Sequence, residues 1–156
     1  SGRLTFVLVE MTGRDVLEAE GESGALALAA STLPALGADA PVVVAAIGRD
    51  RLLLVTTRGA RVPVGWVDRW RTQLGETLKK HPVFAEVLEQ KRTPDLGSLL
   101  IAIAEVGDCG HPRDALARAE EVLAAARTGE GPITVWYRGE AIGFDDYLAR
   151  VVGSGA

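Results

Sequence analysis

Two apolar runs of strand length sit close together in the middle of the chain, Val42 to Ile47 and Leu52 to Thr57, joined by Gly48-Arg49-Asp50-Arg51. A short, Gly-containing connection between β-branched and aliphatic runs reads as a β-hairpin. What flanks that hairpin limits the fold. Ahead of it, Leu4 to Met11 is a nearly unbroken apolar run, as suits a strand buried on both faces. Ser23 to Leu36 then carries Ala25, Leu28, Ala29, Thr32, Leu33 and Leu36 at helical spacing, with Pro34 touching only the last turn. After the hairpin, Val67, Trp70, Leu74 and Leu78 form one stripe of a long helix that His81-Pro82 ends or kinks. Val83 to Gln90 reads as a short helix and Lys91 to Gly97 as a linker. Ser98 to Val106 reads as a strand, Pro112 to Arg127 as a helix opened by Pro112 and Asp114, Ile133 to Tyr137 as the last strand, and Phe144 to Val152 as a terminal helix.

The order is β-α-β-β-α-β-α-β with an extra helix at the end. A hairpin between βα units is the signature of α/β (α+β) sandwiches in which helices flank a mostly antiparallel sheet. The 156 residues fall within the range of one domain, and folding at that length buries roughly 68–70% of the surface of the unfolded chain, with no need of a metal or disulfide staple. The whole of 1–156 is therefore expected to form a single domain, with 1–3 a tag remnant or linker and 142–156 the terminal helix and tail. Aromatic residues make up only 5%, so Val, Leu, Ile and Ala must build the core.

The formal net charge of −4, with charges spread along the chain, argues against a nucleic-acid partner. The single cysteine, Cys109, excludes an internal disulfide and fits a reducing compartment. Charges interrupt every apolar run before it reaches the roughly 18 residues of a membrane span, and the opening residues lack the layout of a signal peptide. A cytoplasmic chain without membrane insertion is expected.

Three places resemble, in sequence and order, the GGDEF domains, which condense two GTP molecules into cyclic di-GMP. Phe6-Val7-Leu8-Val9-Glu10-Met11-Thr12 is similar to the family's opening strand, and Glu10 takes the place of a metal-binding Asp. The turn Gly48-Arg49-Asp50-Arg51-Leu52 stands where the family has Gly-Gly-Asp-Glu-Phe. Ala119-Glu120-Glu121-Val122-Leu123-Ala124-Ala125-Ala126-Arg127 is similar to the late helix, with Arg127 where the family keeps a phosphate-contacting Lys. The resemblance covers roughly 4 to 137, and it implies a nucleotidyl-cyclase-type fold.

The departures bear on activity. Arg49 replaces a Gly that lets the backbone approach the nucleotide. Arg51 replaces a Glu that helps hold the metal. Mg²⁺ is bound through carboxylates and substrate phosphates, and unit charges about 4 Å apart interact by about 4 kcal/mol at an effective dielectric of about 20. A guanidinium there repels the ion. The guanine-reading Asn and Asp find no clear equivalents, Ala25 falling near the Asp position, and the inhibitory Arg-x-x-Asp is absent near Asp39 to Val42. The resemblance thus implies a degenerate domain with no catalytic residues, no metal and no cofactor, serving as a regulatory domain of a bacterial signalling protein that binds another protein or a second copy of itself. The alternative is a sensor that binds GTP or cyclic di-GMP without turnover, through Glu10, Asp50 and Arg127.

Other chemistry is poorer. Asp108-Cys109-Gly110-His111 lacks a zinc spacing and reads as a loop before a helix. Cys109 and His81 would make a nucleophile pair only if the fold joined them. Asp145-Asp146 suits the dipole of the terminal helix. Interfaces favour Trp and Arg, so Trp66, expected to be exposed at a helix start, is expected with Arg49, Arg51, Arg58 and Arg61 to form the interaction surface, whereas Trp70 belongs to the core.

Overall fold

The computed structural model describes residues 3–12, 25–47, 51–91, 98–129 and 131–155. The chain runs β1 (Thr5–Met11), α1 (Ala25–Ser31), a 3-10 helix (Leu33–Asp39), β2 (Val43–Ile47), β3 (Arg51–Thr56), α2 (Arg61–Lys80), α3 (Pro82–Lys91), β4 (Leu99–Glu105), α4 (Pro112–Thr128), β5 (Ile133–Tyr137), β6 (Glu140–Gly143) and α5 (Phe144–Gly155). The strands form one sheet in the order β2-β3-β1-β4-β5-β6. Every neighbouring pair is antiparallel except β4 and β5, which α4 joins as a crossover. The mostly antiparallel sheet flanked by helices is the architecture expected from the sequence.

β1 lies between β3 and β4, and its Val7, Leu8 and Val9 have no solvent exposure. A strand covered on both faces needs apolar residues at odd and even positions alike. Val7, Val9 and Met11 face a core built with α1, α2, α3 and α5. Phe6 and Leu8 face a second core, with Ala102 and Ala104, that α4 closes through Ala115, Ala119, Val122 and Leu123. Glu10 falls on this α4 face by strand alternation.

Local chemistry sets the ends. Pro112 opens α4, and His111 Nδ1 accepts the Arg113 backbone N–H at 3.0 Å, so His111 serves as an N-cap. The helix expected over Ser23 to Leu36 is divided. α1 stops at Ser31, Pro34 stands in the first turn of the following 3-10 helix, and Gly37 takes a positive φ of 64°. A proline ring clashes with the carbonyl four residues back and offers no N–H, so an α-helix cannot run through it. Thr32 at the break donates its hydroxyl to the Ala29 carbonyl and accepts the Trp70 indole N–H, both at 2.7 Å.

Ile133 to Tyr137 is not the last strand. β6 returns along it after Arg138-Gly139, whose φ values of 51° and 87° are both positive. A two-residue hairpin with this twist demands that geometry.

Candidate functional site

One end of the sheet gathers the residues singled out by sequence. Glu10, one residue from the end of β1, is the register partner of Arg51, the first residue of β3. α4 crosses this face and brings two more charges, Glu120 and Arg127. The Arg127 guanidinium grips Glu10 with two bonds, Nη2 to Oε1 at 2.7 Å and Nε to Oε2 at 3.1 Å. Such forked Arg–carboxylate pairing fixes orientation as well as adding energy. Arg51 Nη1 lies 3.9 Å from Glu120 Oε1. Side chains of Glu10 and Arg51 keep 23% and 22% of their exposure, against 47% and 46% for Arg127 and Glu120, so the two strand residues are the more covered members of the two pairs. The tip Gly48, Arg49 and Asp50 lies outside the described residues. Leu52 turns to the opposite face and is buried in the larger core.

Glu120 was not foreseen as a participant. The signal was present, because Glu120 and Arg127 are seven apart on one helix, two turns along the same stripe. What a single sequence withholds is which strand end that stripe overhangs.

Two expectations about the arginine surface fail. Trp66 is 3% exposed. α2 begins at Arg61, five residues before it, and already buries Pro63 and Val64, so Trp66 sits in a covered turn with its ring edge-on to Trp70 at 5.9 Å. Nor do the four arginines form one cluster. Arg51 opens β3 whereas Arg58 and Arg61 follow its end, and a six-residue strand at about 3.4 Å per residue holds them apart by roughly 17–20 Å. Arg58 pairs instead with Asp39 at 3.1 Å.

The remaining candidates separate too. Cys109 packs with the α4-side core, while His81 stacks on Phe84 of the opposite core at 4.5 Å and its Nδ1 accepts the Phe84 backbone N–H at 3.3 Å. The sheet stands between thiol and imidazole. Asp145 and Asp146 occupy the exposed first turn of α5, where the helix dipole favours them, and Asp146 pairs with Arg150 at 3.3 Å. Among the described residues no three His, Cys, Asp or Glu side chains gather as a metal site. No described helix is long and apolar enough to cross a membrane.

No protein-family model and no curated protein matches the chain. Among solved structures, the active GGEEF domain of a diguanylate cyclase from Vibrio cholerae superimposes with a TM-score of 0.59 over 86% of this chain and 83% of that one, at 13% identity. The chain has a GGDEF-like fold. In this GGDEF-like fold, the strand end carrying Glu10 and the hairpin arm carrying Arg51 are neighbours in the sheet, and the late helix lays Arg127 across them.

Proposed function

We propose that this GGDEF-like domain is a regulatory domain without cyclase turnover, acting through contact with another protein or a second copy of itself in a signalling protein. The observation that carries this reading is the ion-pair arrangement at the end of β1. The carboxylate in the metal-binding place, Glu10, has both oxygens held by Arg127, and its cross-strand neighbour is Arg51. Mg²⁺ needs carboxylates and substrate phosphates about it. Among the described residues, two guanidinium groups stand beside Glu10, and their charge works against a divalent ion there.

The hairpin arm also supports a role in contacts. Val42, just ahead of β2, and Val43 and Val44 on it are 63%, 46% and 43% exposed, and β2 is an edge strand of the sheet. An edge with unpaired backbone groups and apolar side chains is a template for further association.

Calorimetry with GTP and Mg²⁺ tests the nucleotide side of the proposal. Binding no tighter than about millimolar, or about −4 kcal/mol, is expected. Micromolar binding that disappears in Arg127→Ala favours the sensor alternative. For the contact itself, the double neutralisation Arg49→Gln/Arg51→Gln in the intact parent protein should weaken association while leaving the melting temperature nearly unchanged; Gln is chosen because a Glu at 51 would face Glu10 and Glu120. Association that survives it, and fails instead in Leu148→Glu on α5, places the partner elsewhere.

A further inference from the structure

The far end of the sheet holds a cleft of about 880 Å³. Five arginines line it: Arg3 ahead of β1, Arg58 and Arg61 around the start of α2, Arg118 on α4, and Arg138 in the β5–β6 turn. Two of them are already matched. Arg58 pairs with Asp39, and Arg118 pairs with Asp108 while lying 5.4 Å from the centre of the Trp136 ring. Arg3, Arg61 and Arg138 have no carboxylate partner among the described residues. The cleft's other acid, Glu105, accepts the Ala60 backbone N–H through Oε1 at 2.8 Å and is thereby fixed at the N-terminus of α2.

Three open guanidinium groups against one carboxylate leave an excess of two positive charges, in a chain whose net charge is −4. That excess matches one dianion. Guanidinium forks suit the oxygens of a phosphoryl group. Two of these three cations, Arg138 and Arg3, are also restrained. Arg138 lies 5.1 Å from the centre of the Tyr137 ring, a stacking that restrains the side chain before any ligand arrives. At Gly59 an added Cβ would lie 2.9 Å from Glu105 Oε1 and 3.4 Å from the Arg3 guanidinium, so both side chains press against the β3–α2 connection. Small-molecule sites span roughly 300–1,000 Å³. This cleft is within that range and larger than a bare phosphate requires.

We propose that this cleft is a binding site for a phosphomonoester dianion carrying an organic body, either a free phosphorylated metabolite or a phosphorylated side chain of a protein. It is separate from the Glu10–Arg127 end, so it stands whether or not the domain lacks cyclase turnover. Arg3, Arg61 and Arg138 hold the phosphoryl oxygens, and Glu105 sets the depth to which the anion enters.

The test is an NMR titration of the ¹⁵N-labelled full chain with inorganic phosphate, O-phosphoserine, a blocked phosphoserine tripeptide and malonate. Saturable shifts of the Trp136 indole and the Gly107 and Gly139 amides are expected with phosphoserine. A charge-assisted hydrogen bond corresponds to about tenfold in affinity, so Arg61→Ala and Arg138→Asn should each weaken binding about tenfold, while Arg113→Ala on the exposed face of α4 leaves it unchanged. Asn is chosen at 138 because it tolerates the positive φ. Affinity should also fall at pH 5, below the second phosphate pKa of about 6. Binding of the tripeptide as well as the amino acid identifies a protein source, and binding of the amino acid alone identifies a metabolite. Absence of saturation by about 10 mM, equal weakening by Arg113→Ala, or malonate binding as tightly as phosphoserine overturns the proposal.

Discussion

Trp66 and Trp70 are buried alike, at 3% and 2% exposure, and touch edge-to-face, yet their indole nitrogens meet different fates. Trp70 Nε1 donates to Thr32 Oγ1 at 2.7 Å. Trp66 Nε1 is buried and finds no acceptor among the described residues. Replacing each by Phe removes the same atoms, so the packing loss is largely common and the difference isolates the polar ends. Trp70→Phe forfeits a hydrogen bond worth about 0.5–1.5 kcal/mol, and Trp66→Phe relieves an unsatisfied donor whose burial costs about 1–3 kcal/mol. Trp70→Phe should therefore be the less stable variant by at least about 1.5 kcal/mol. In a domain of this size, where 1 kcal/mol moves Tm by about 2–4 °C, that is a separation of about 3–6 °C. Urea titration and thermal melting of the two variants side by side supply the measurement. Equal stabilities, or Trp66→Phe the weaker, would refute the assignment of partners to the two indoles.

Three further outcomes are expected. The Arg118 hydrogen bond holds the Asp108 carboxyl below its ordinary value of 3.8. A depressed carboxylate pKa contributes stability that is present above the ordinary value and lost as pH falls through the lower one. The stability gap between the parent and Arg118→Gln should therefore be constant from neutral pH down to about 4 and narrow below it in acid urea titrations. Gly139→Ala, at φ 87°, should destabilise the β5–β6 hairpin by about 1 kcal/mol, read by urea unfolding. Arg127→Ala should cost less than about 1 kcal/mol, because the Glu10 pair stands at the surface; a larger loss in the same assay would mean the pair is a structural clasp.

The fold was legible where one residue pattern admits one environment. The unbroken run through Val7, Leu8 and Val9 suits a doubly covered strand, and the spacing of Trp70, Leu74 and Leu78 suits a buried helical stripe; both are found so. β6 escaped because its turn depends on positive φ at Arg138, a residue type with no particular preference for that conformation. Trp66 was misplaced because periodicity locates a stripe better than a helix start. The site was partly legible. Glu10, Arg51 and Arg127 lie 117 residues apart at the extremes, yet each resembles a motif position, and the structure brings them to one strand end. Glu120 and the far cleft were not legible, since its arginines come from separate segments that share no local pattern. Only the length of β3 decides that Arg58 and Arg61 belong with Arg3 and Arg138, away from Arg51.

Turnover is the most direct measure of the central claim. Incubated with GTP and either Mg²⁺ or Mn²⁺, the chain should yield no cyclic di-GMP above a protein-free control in chromatography of the nucleotides, because Arg51 and Arg127 flank the carboxylate where a divalent ion is needed. Product that rises with protein concentration and ceases in Glu10→Gln would contradict the account: Glu10 would then be a working metal ligand, and the guanidinium groups beside it no barrier to the ion.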